Sequence, residues 1–148
     1  DVLIKEIREG ETVVVGEQTL VAACRLDHPG GVLAYRISWQ DVALVYATDL
    51  RHPPGGLDGR LIELARGADL LIHDAHFTPE EAVLFPHWGH SSWLQATEVA
   101  REARVRRLAL FHYSPDATDA DLEAVCEKAR AYFPETFLSR EQESLDLP

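Results

Sequence analysis

The segment HWGHSSWLQATEVAREARVRRLALFHYS, residues 87–114, contains a polar loop, a helix-like stretch and an apolar strand in succession. Serines stand at the start of the helix-like stretch and arginines at its end, as expected for an N-cap and for cations near a helix C-terminus. The run RRLALFH, residues 106–112, is short and apolar, which is typical of a buried parallel strand. The segment therefore predicts an α/β domain with histidines at both ends of one helix–strand unit.

The same alternation of strand and helix continues on both sides of this segment. Upstream, LDGRLIELARGA (57–68) has helical spacing with a glycine placed to end the helix, and DLLIHDA (69–75) is a second buried strand. Downstream, TDADLEAVCEKARAYF (118–133) predicts a helix that begins with Thr118 as the first residue of a capping box. ETFLS (135–139) predicts a final strand.

The first third of the chain consists of strand-like runs separated by turn residues. These runs are VLIKEI (2–7), TVVV (12–15), TLVAACRL (19–26), GVLAYRISW (31–39) and VALVYATD (42–49). The last two flank the polar pair QD, which indicates a hairpin. Antiparallel strands followed by strand–helix alternation predict one α/β layered domain with a mixed sheet and flanking helices.

Length and composition fit a single globular domain. The chain has 148 residues, is 46% hydrophobic and carries a formal net charge of −11, which disfavours non-specific binding to nucleic acid or anionic membrane. No apolar run approaches the roughly 20 residues that a membrane span needs. Cys24 and Cys126 lie far apart in apolar contexts, so we interpret them as core thiols of a reduced, cytoplasmic protein.

Histidine and aspartate side chains cluster where the predicted strands end. Since ligands bind at one set of strand ends in α/β sheets, this placement predicts a site and not isolated core histidines. Imidazole and carboxylate are the usual ligands of Zn²⁺, Mn²⁺ or Fe²⁺. The strand-end residues are Asp27, His28, Asp49, His73, Asp74, His76 and His112.

Four pieces of the sequence carry a resemblance to a known family. In order, they are DHPGGVLAYRI, VYATDL, GADLLIHDAHF and WGHSSWLQATEVAREARVRRLALFHYSP, and they fall within residues 20–116. Together they resemble the C-terminal half of a metallo-β-lactamase-fold hydrolase, in the branch that contains ribonuclease Z and related phosphodiesterases. The resemblance implies half of an αββα sandwich.

The resemblance also implies roles for individual residues. His28 resembles a metal ligand that follows a strand, Asp49 resembles the carboxylate that bridges two metal ions, and His112 resembles the last metal-binding histidine. Asp74 matches a position where the family often has Glu, an acid that orients the histidine of a GHS motif. That histidine is His90 here, so Asp74 and His90 are the predicted catalytic residues. Two divalent ions are implied, with zinc the first choice and manganese or iron as alternatives.

One family motif is absent from the sequence. The His-x-His-x-Asp-His motif, which supplies most ligands of both metals, does not occur in residues 1–148. We therefore interpret 1–148 as a single metallo-hydrolase segment that lacks the N-terminal half carrying this motif. We expect its partner to be that half or a second copy of the chain.

The predicted function is hydrolysis of a phosphodiester by a metal-activated water, with the site completed by the missing half. His90 would then donate a proton to the leaving oxygen, and His76 is a candidate substrate-binding residue. His73 is expected to be structural, and His52 a mobile residue at the rim. Two alternatives stay open, namely an inactive scaffold or dimerisation module and a hydrolase of another ester, such as a thioester or lactone. Nucleic acid as substrate is allowed but is not supported by the charge.

Overall fold

A computed structural model describes residues 6–147 and shows one sheet of seven strands with helices packed against it. The strands are β1 (Thr12–Val15), β2 (Thr19–Leu26), β3 (Val32–Trp39), β4 (Val42–Ala47), β5 (Leu70–Asp74), β6 (Arg107–Phe111) and β7 (Thr136–Leu138). The helices of the described part are α1 (Gly59–Ala65), α2 (Pro79–Leu84), α3 (Trp93–Ala103) and α4 (Asp119–Arg130). The predicted α/β class is confirmed. The strand predicted at residues 2–7 falls mostly on residues 1–5, which lie outside the described part.

Strand order in the sheet follows the order of the sequence. β1 to β4 pair antiparallel, whereas β4 to β7 pair parallel. β2, β4, β5 and β6 therefore run in the same direction, and their C-terminal ends lie at one edge of the sheet. The predicted hairpin is present between β3 and β4, where Gln40 adopts a positive φ of 51°.

Three helices cover one face of the sheet. α3 packs against both α1 and α4, so the three form one layer, and α1 and α3 contact the strands beneath them. Val45, Leu71 and Leu108 are adjacent on this face in neighbouring strands and are fully buried. Each such side chain contributes about 1.5–3 kcal/mol of hydrophobic stabilisation. The helical layer supports the edge of the sheet at which the candidate site, described below, lies.

The other face of the sheet carries a row of apolar side chains that no described helix covers. The strand register places one residue of each strand beside the next, in the order Tyr35, Tyr46, Ile72, Ala109 and Phe137. Tyr46 remains 38% exposed, and its ring lies 6.0 Å from that of Phe111 on the same face. We call this row the open face. A sheet with helices on one side and an apolar surface on the other matches the implied half-sandwich.

One helix was not predicted from the sequence. Thr78 is the N-cap of α2: its side chain accepts from the backbone N–H of Glu81, and the Glu81 side chain accepts in return from the backbone N–H of Thr78 in a capping box. The sequence TPEEAVL carried this signal, with proline in the first turn. Among residues 6–147, no helix has the length and apolar character needed to cross a membrane.

Candidate functional site

The site lies at the edge of the sheet where β2, β4, β5 and β6 end. His28 follows β2, Asp49 follows β4, Asp74 ends β5 and His112 follows β6. The loop before α3 brings His90 to the same edge, since its ring lies 5.8 Å from that of His28 and 5.1 Å from that of His112. The predicted residues therefore come together, although they are spread over 85 positions of sequence.

Asp74 is the buried anchor of this edge. Its carboxylate is fully buried and accepts hydrogen bonds from the backbone amides of His76 and Ser91, at 3.1 and 3.2 Å, and a longer one from Leu50 at 3.4 Å. It also accepts from the Nδ1–H of His90 at 3.0 Å. Several donors on one carboxylate satisfy its buried charge and fix its position. The shorter side chain of aspartate thus reaches the histidine that the sequence paired with it.

The loop HWGHSS both caps a helix and contributes to the site. Ser92 is the N-cap of α3 and forms a capping box with Gln95, while the hydroxyl of Ser91 donates to the carbonyl of Leu50 at 2.7 Å. His90 stands just before this cap. Its hydrogen bond to Asp74 raises its pKa above the ordinary value, in spite of burial, which acts in the opposite direction. The ring nitrogen Nε2 of His90 remains available to a ligand.

Gly89 allows the loop to approach His28 closely. It has a φ of +94°, and a Cβ at this position would lie 2.4 Å from Nδ1 of His28 and 2.5 Å from Cδ of Pro29. The carbonyl of Gly89 accepts a hydrogen bond from Nδ1–H of His28 at 3.1 Å. This contact fixes the His28 ring so that its Nε2 carries the lone pair, which is the usual arrangement of a metal-binding histidine.

Asp49 and His112 form a direct pair. Oδ1 of Asp49 lies 3.1 Å from Nε2 of His112. Both residues adopt positive φ angles, 54° and 58°, a region that Asp and His enter more often than most non-glycine residues. The pair connects the end of β4 with the end of β6, across the end of β5 that lies between them.

His76 lies closer to the centre of the site than the sequence indicated. Its ring stacks on that of His90 at 4.3 Å and lies 6.1 Å from that of His112. Among the described residues, these three histidines form a group whose potential ligand atoms all lie within 4.8 Å of one another. Of the three predicted metal ligands, only His112 belongs to this group.

His73 and His52 form a stacked pair with ring centroids 5.5 Å apart. His73 is fully buried and donates from Nδ1 to the carbonyl of Asp74, in agreement with its predicted structural role. The prediction that His52 is a mobile rim residue is wrong. Its side chain is buried and accepts from the backbone N–H of Asp58, the N-cap of α1, and burial lowers its pKa to about 3.

A cleft of about 540 Å³ opens beside His90 and is lined in part by Arg51 and Ser92. A role for Arg51 was not predicted from the sequence. Its guanidinium bonds to Asp27 at 2.8 Å and to the carbonyl of Pro86 at 3.0 Å, so it links β2, β4 and the α3 loop around the cleft. Its place two residues after Asp49, in the same strand-end loop, was the available signal. The cleft thus places the Arg51–Asp27 ion pair beside the His90 imidazole.

The fold and the donor set define an α/β protein with a histidine–aspartate centre of the metallohydrolase kind. Residues 1–113 match the model of the family described as the beta-lactamase superfamily domain, and the chain belongs to this superfamily. Ribonuclease Z of Thermoplasma acidophilum is 39% identical over 140 residues, which cover 94% of this chain and 40% of that protein. The resemblance stated from the sequence is confirmed.

Solved structures agree with this assignment of the fold. The metallo-beta-lactamase fold protein YhfI of Bacillus subtilis superposes with a TM-score of 0.74 at 22% identity, over 90% of this chain and 52% of that one. The short form of human tRNase Z gives 0.68 at 22% identity, over 93% and 45%. The chain therefore spans between about 40% and 52% of the length of these proteins.

Proposed function

We propose that this chain forms one half of a metal-dependent phosphodiesterase with two divalent ions, whose other half supplies the His-x-His-x-Asp-His ligands. The observation that carries the proposal is the position of the Asp74–His90 pair beside the Asp49–His112 pair at one sheet edge. A carboxylate-held imidazole next to a carboxylate–imidazole pair offers a proton donor beside metal ligands, which is what ester hydrolysis by an activated water requires.

The residues present fit divalent ions of borderline character. His28, Asp49 and His112 would hold them, because nitrogen and carboxylate oxygen donors suit Zn²⁺ first and Mn²⁺ or Fe²⁺ as alternatives. The hydrogen bond from His28 to the carbonyl of Gly89 orients a free ring nitrogen for this purpose. When bound, such ions lower the pKa of a coordinated water and polarise a phosphoryl oxygen.

His90 is the proposed general acid. Its Nδ1–H is held by Asp74, so the ring can donate from Nε2 when it is protonated, and the raised pKa keeps that form populated closer to neutral pH. A departing alkoxide needs such a proton, and the cleft beside His90 has room for a leaving group. Arg51 at the cleft wall is paired with Asp27, so it would bind a phosphate only in exchange for that ion pair.

A phosphodiester is the preferred substrate class. The relative from Thermoplasma acidophilum is named ribonuclease Z, and its similarity to this chain supports a nuclease-type phosphodiester. The formal charge of −11 opposes binding of a long RNA by this chain alone, so a large nucleic acid would need cations from the completing half. The free thiols Cys24 and Cys126 agree with a reducing compartment, and we place the protein in the cytoplasm.

The completing half is proposed to cover the open face. In an αββα sandwich a second sheet packs on the inner face of the first, and the apolar row around Tyr46 offers such a surface. The matched relative has about 60% of its length outside the aligned region, which is ample for a second sheet. The site and the open face would then be completed by the same segment.

The test uses the complete protein, or this chain combined with a chain that carries the N-terminal half. Hydrolysis of a bis(p-nitrophenyl) phosphate substrate is measured beside thioester and lactone substrates, in the presence of zinc or manganese. We expect metal-dependent phosphodiester hydrolysis that His90→Ala lowers by about 100-fold or more in kcat, with a smaller change in KM. The exposed Glu102 near the end of α3, which does not line the cleft, gives the control Glu102→Ala, which should leave kcat unchanged.

Three outcomes would contradict the proposal. Equal kcat values for the unmodified protein and His90→Ala would remove the general-acid role. Turnover of only a thioester or lactone would replace the substrate class. A complete protein that binds no metal and hydrolyses none of these esters would favour the inactive scaffold.

A further inference from the structure

His76 has a ring nitrogen that the described structure leaves without a partner. Its Nδ1 is buried and has no hydrogen-bond partner among residues 6–147, although the backbone N–H of the same residue is bonded to Asp74. A buried polar atom without a partner is costly, so it indicates a ligand, an ion or a water at that position. The predicted hydrolytic centre of His28, Asp49 and His112 does not use this nitrogen.

The neighbours of His76 provide two more nitrogen donors. His90 stacks on it at 4.3 Å, and a ligand nitrogen of each of His76, His90 and His112 lies within 4.8 Å of the other two. Tetrahedral zinc with Zn–N bonds of about 2.0–2.1 Å requires nitrogen–nitrogen distances of about 3.4 Å. The His76 and His90 rings stack at an interplanar angle of 17°, so one ring has to turn before both direct a nitrogen at the same ion. His76 is the ring to turn, because Asp74 holds His90 whereas Nδ1 of His76 has no hydrogen-bond partner among residues 6–147.

The hydrogen bonds around the cluster favour an ion there. Asp74 holds Nδ1 of His90, which leaves Nε2 as the donor and forms the carboxylate–histidine arrangement that supports bound zinc. Three histidines with a fourth position left for water are an established coordination set for this ion. Asp49 lies 3.1 Å from His112 and can compensate the charge of the ion.

We propose that His76, His90 and His112 form a mononuclear site for Zn²⁺ or a similar divalent transition metal, which shares His112 with the proposed hydrolytic position of His28 and Asp49 and competes with it for this ligand. This site uses residues that this chain contains by itself. An ion bound there occupies His90 and His112 together. Its inhibitory consequence rests on the proposed function, because a metal-bound His90 cannot donate a proton to a leaving group. Excess zinc would therefore inhibit the complete enzyme through His76.

Metal binding by the 148-residue chain tests the site without any assay of activity. Co²⁺ titration followed by visible absorption, and zinc titration in competition with a chromophoric chelator, give stoichiometry and affinity. We expect one ion per chain, at least tenfold weaker binding in His76→Gln, and affinity within twofold of the unmodified chain in His28→Gln. Far-UV circular dichroism checks that both variants are folded.

A measurement on the unmodified chain tests the site without requiring that any variant folds. In ¹H–¹⁵N spectra of the imidazole nitrogens, zinc should shift the ring signals of His76, His90 and His112 and leave those of His28 and His87 in place. Weaker binding in His28→Gln with normal binding in His76→Gln would assign the ion to the other ligand set. That result, or a folded chain that binds neither ion, would overturn the proposal.

The complete enzyme separates this proposal from the proposed function. We expect excess zinc to inhibit hydrolysis. The zinc concentration that halves the rate should be at least tenfold higher for His76→Gln than for the unmodified enzyme, when each rate is expressed relative to the same protein without excess zinc. Hydrolysis that excess zinc does not inhibit would reject the inhibitory role and leave the phosphodiesterase proposal standing. Zinc binding by the three histidines in a complete protein without hydrolytic activity would reject the phosphodiesterase proposal and leave the zinc site standing.

Discussion

At Asp74, one fully buried carboxylate accepts hydrogen bonds from three backbone amides and from the ring of His90. This arrangement joins the end of β5 to the β4 loop and to the loop before α3. The same carboxylate thus stabilises the fold locally and sets the proton affinity of the proposed general acid. These two effects can be separated by experiment.

Asp74→Asn removes the negative charge of this side chain. It also places the NH₂ group of the amide where only hydrogen-bond donors face it, so that group finds no acceptor there. We expect the pKa of His90 in the metal-free chain to fall, since the Asp74 hydrogen bond is the largest cause of its elevation. We also expect the free energy of unfolding to drop by about 1.5–3 kcal/mol, as for hydrogen bonds to a buried charge. Titration of the His90 ring protons by NMR and urea unfolding measure the two quantities.

Asp69 offers a matched control for Asp74. It is also buried and accepts from the backbone N–H of Ala43 at 2.9 Å, but it lies at the opposite end of β5 from the site. Asp69→Asn should lower stability and leave the titration of His90 unchanged. An unshifted His90 titration in Asp74→Asn would show that the carboxylate does not set the pKa of this histidine.

The buried pair of His52 and His73 predicts sensitivity to acid. Burial lowers the pKa of His52 to about 3 and also lowers that of His73, so the folded chain stays unprotonated at both rings where the unfolded chain takes up protons. The free energy of unfolding should therefore fall as pH decreases below about 6.5, by up to about 1.4 kcal/mol per pH unit for each histidine. Above that pH, neither state binds a proton at these rings and the loss vanishes.

Urea unfolding between pH 6.5 and pH 5 measures this slope before most carboxylates titrate. His52→Phe keeps an aromatic ring against His73 and should reduce the slope by up to one proton. The exposed His87 supplies the control His87→Phe, which should retain the slope. Identical slopes in all three proteins would mean that His52 is protonated equally in the folded and unfolded chain.

At the scale of elements, the loop before α3 depends on a single glycine. Gly89 combines a φ of +94° with contacts too close for a Cβ, whereas Gly55 has a φ of +78° with open space around it. Gly89→Ala should therefore displace His28 or His90 and destabilise the chain by more than the roughly 1 kcal/mol expected for backbone strain alone in Gly55→Ala. Thermal unfolding compares the two variants, and a ring-current shift of the His28 protons reports the displacement. Equal effects would show that the close approach to His28 is not required.

Elements with strong local signals could be predicted from the sequence. Helix α3 and helix α4 carry capping residues and apolar periodicity, and both begin where the sequence predicted. Helix α2 was missed because its six residues bury no side chain, so no apolar stripe marks it. For α2 the capping box was therefore the local signal that could have revealed the helix.

In the site, too, some residues could be identified from the sequence, whereas the place of others depends on tertiary contacts. Asp74 and His90 could be paired from the resemblance to a family, and the structure places them in contact. The burial of His52 could not be predicted, because it depends on His73 and on the start of α1, and a Pro-Gly-rich loop usually lies at the surface. The place of His76 between two other histidines likewise follows from the parallel register of β5 and β6.

For the whole molecule, the open face predicts association of the chain in solution. On this face Tyr46 is 38% exposed and Tyr35, Ile72 and Phe137 are half-buried, so apolar surface is left that another chain can cover. The charge of −11 favours solubility but is carried by the chain as a whole, so it does not remove the gain from covering this face. We expect the chain alone to associate with copies of itself, and a chain carrying the N-terminal half to replace those copies.

Multi-angle light scattering of the 148-residue chain tests this expectation. The mass should exceed that of one chain and decrease with dilution, and Tyr46→Lys should shift the chain toward the monomer because it places a charge in the middle of the open face. Val83→Lys is the matched control, since Val83 is a 78% exposed apolar residue in α2, outside the sheet, and its substitution should not change the mass. A cooperatively folding monomer at all concentrations would show that one helical layer is sufficient to stabilise this sheet. Association that only Val83→Lys weakens would instead move the interface to α2, away from the face that the second half is proposed to cover.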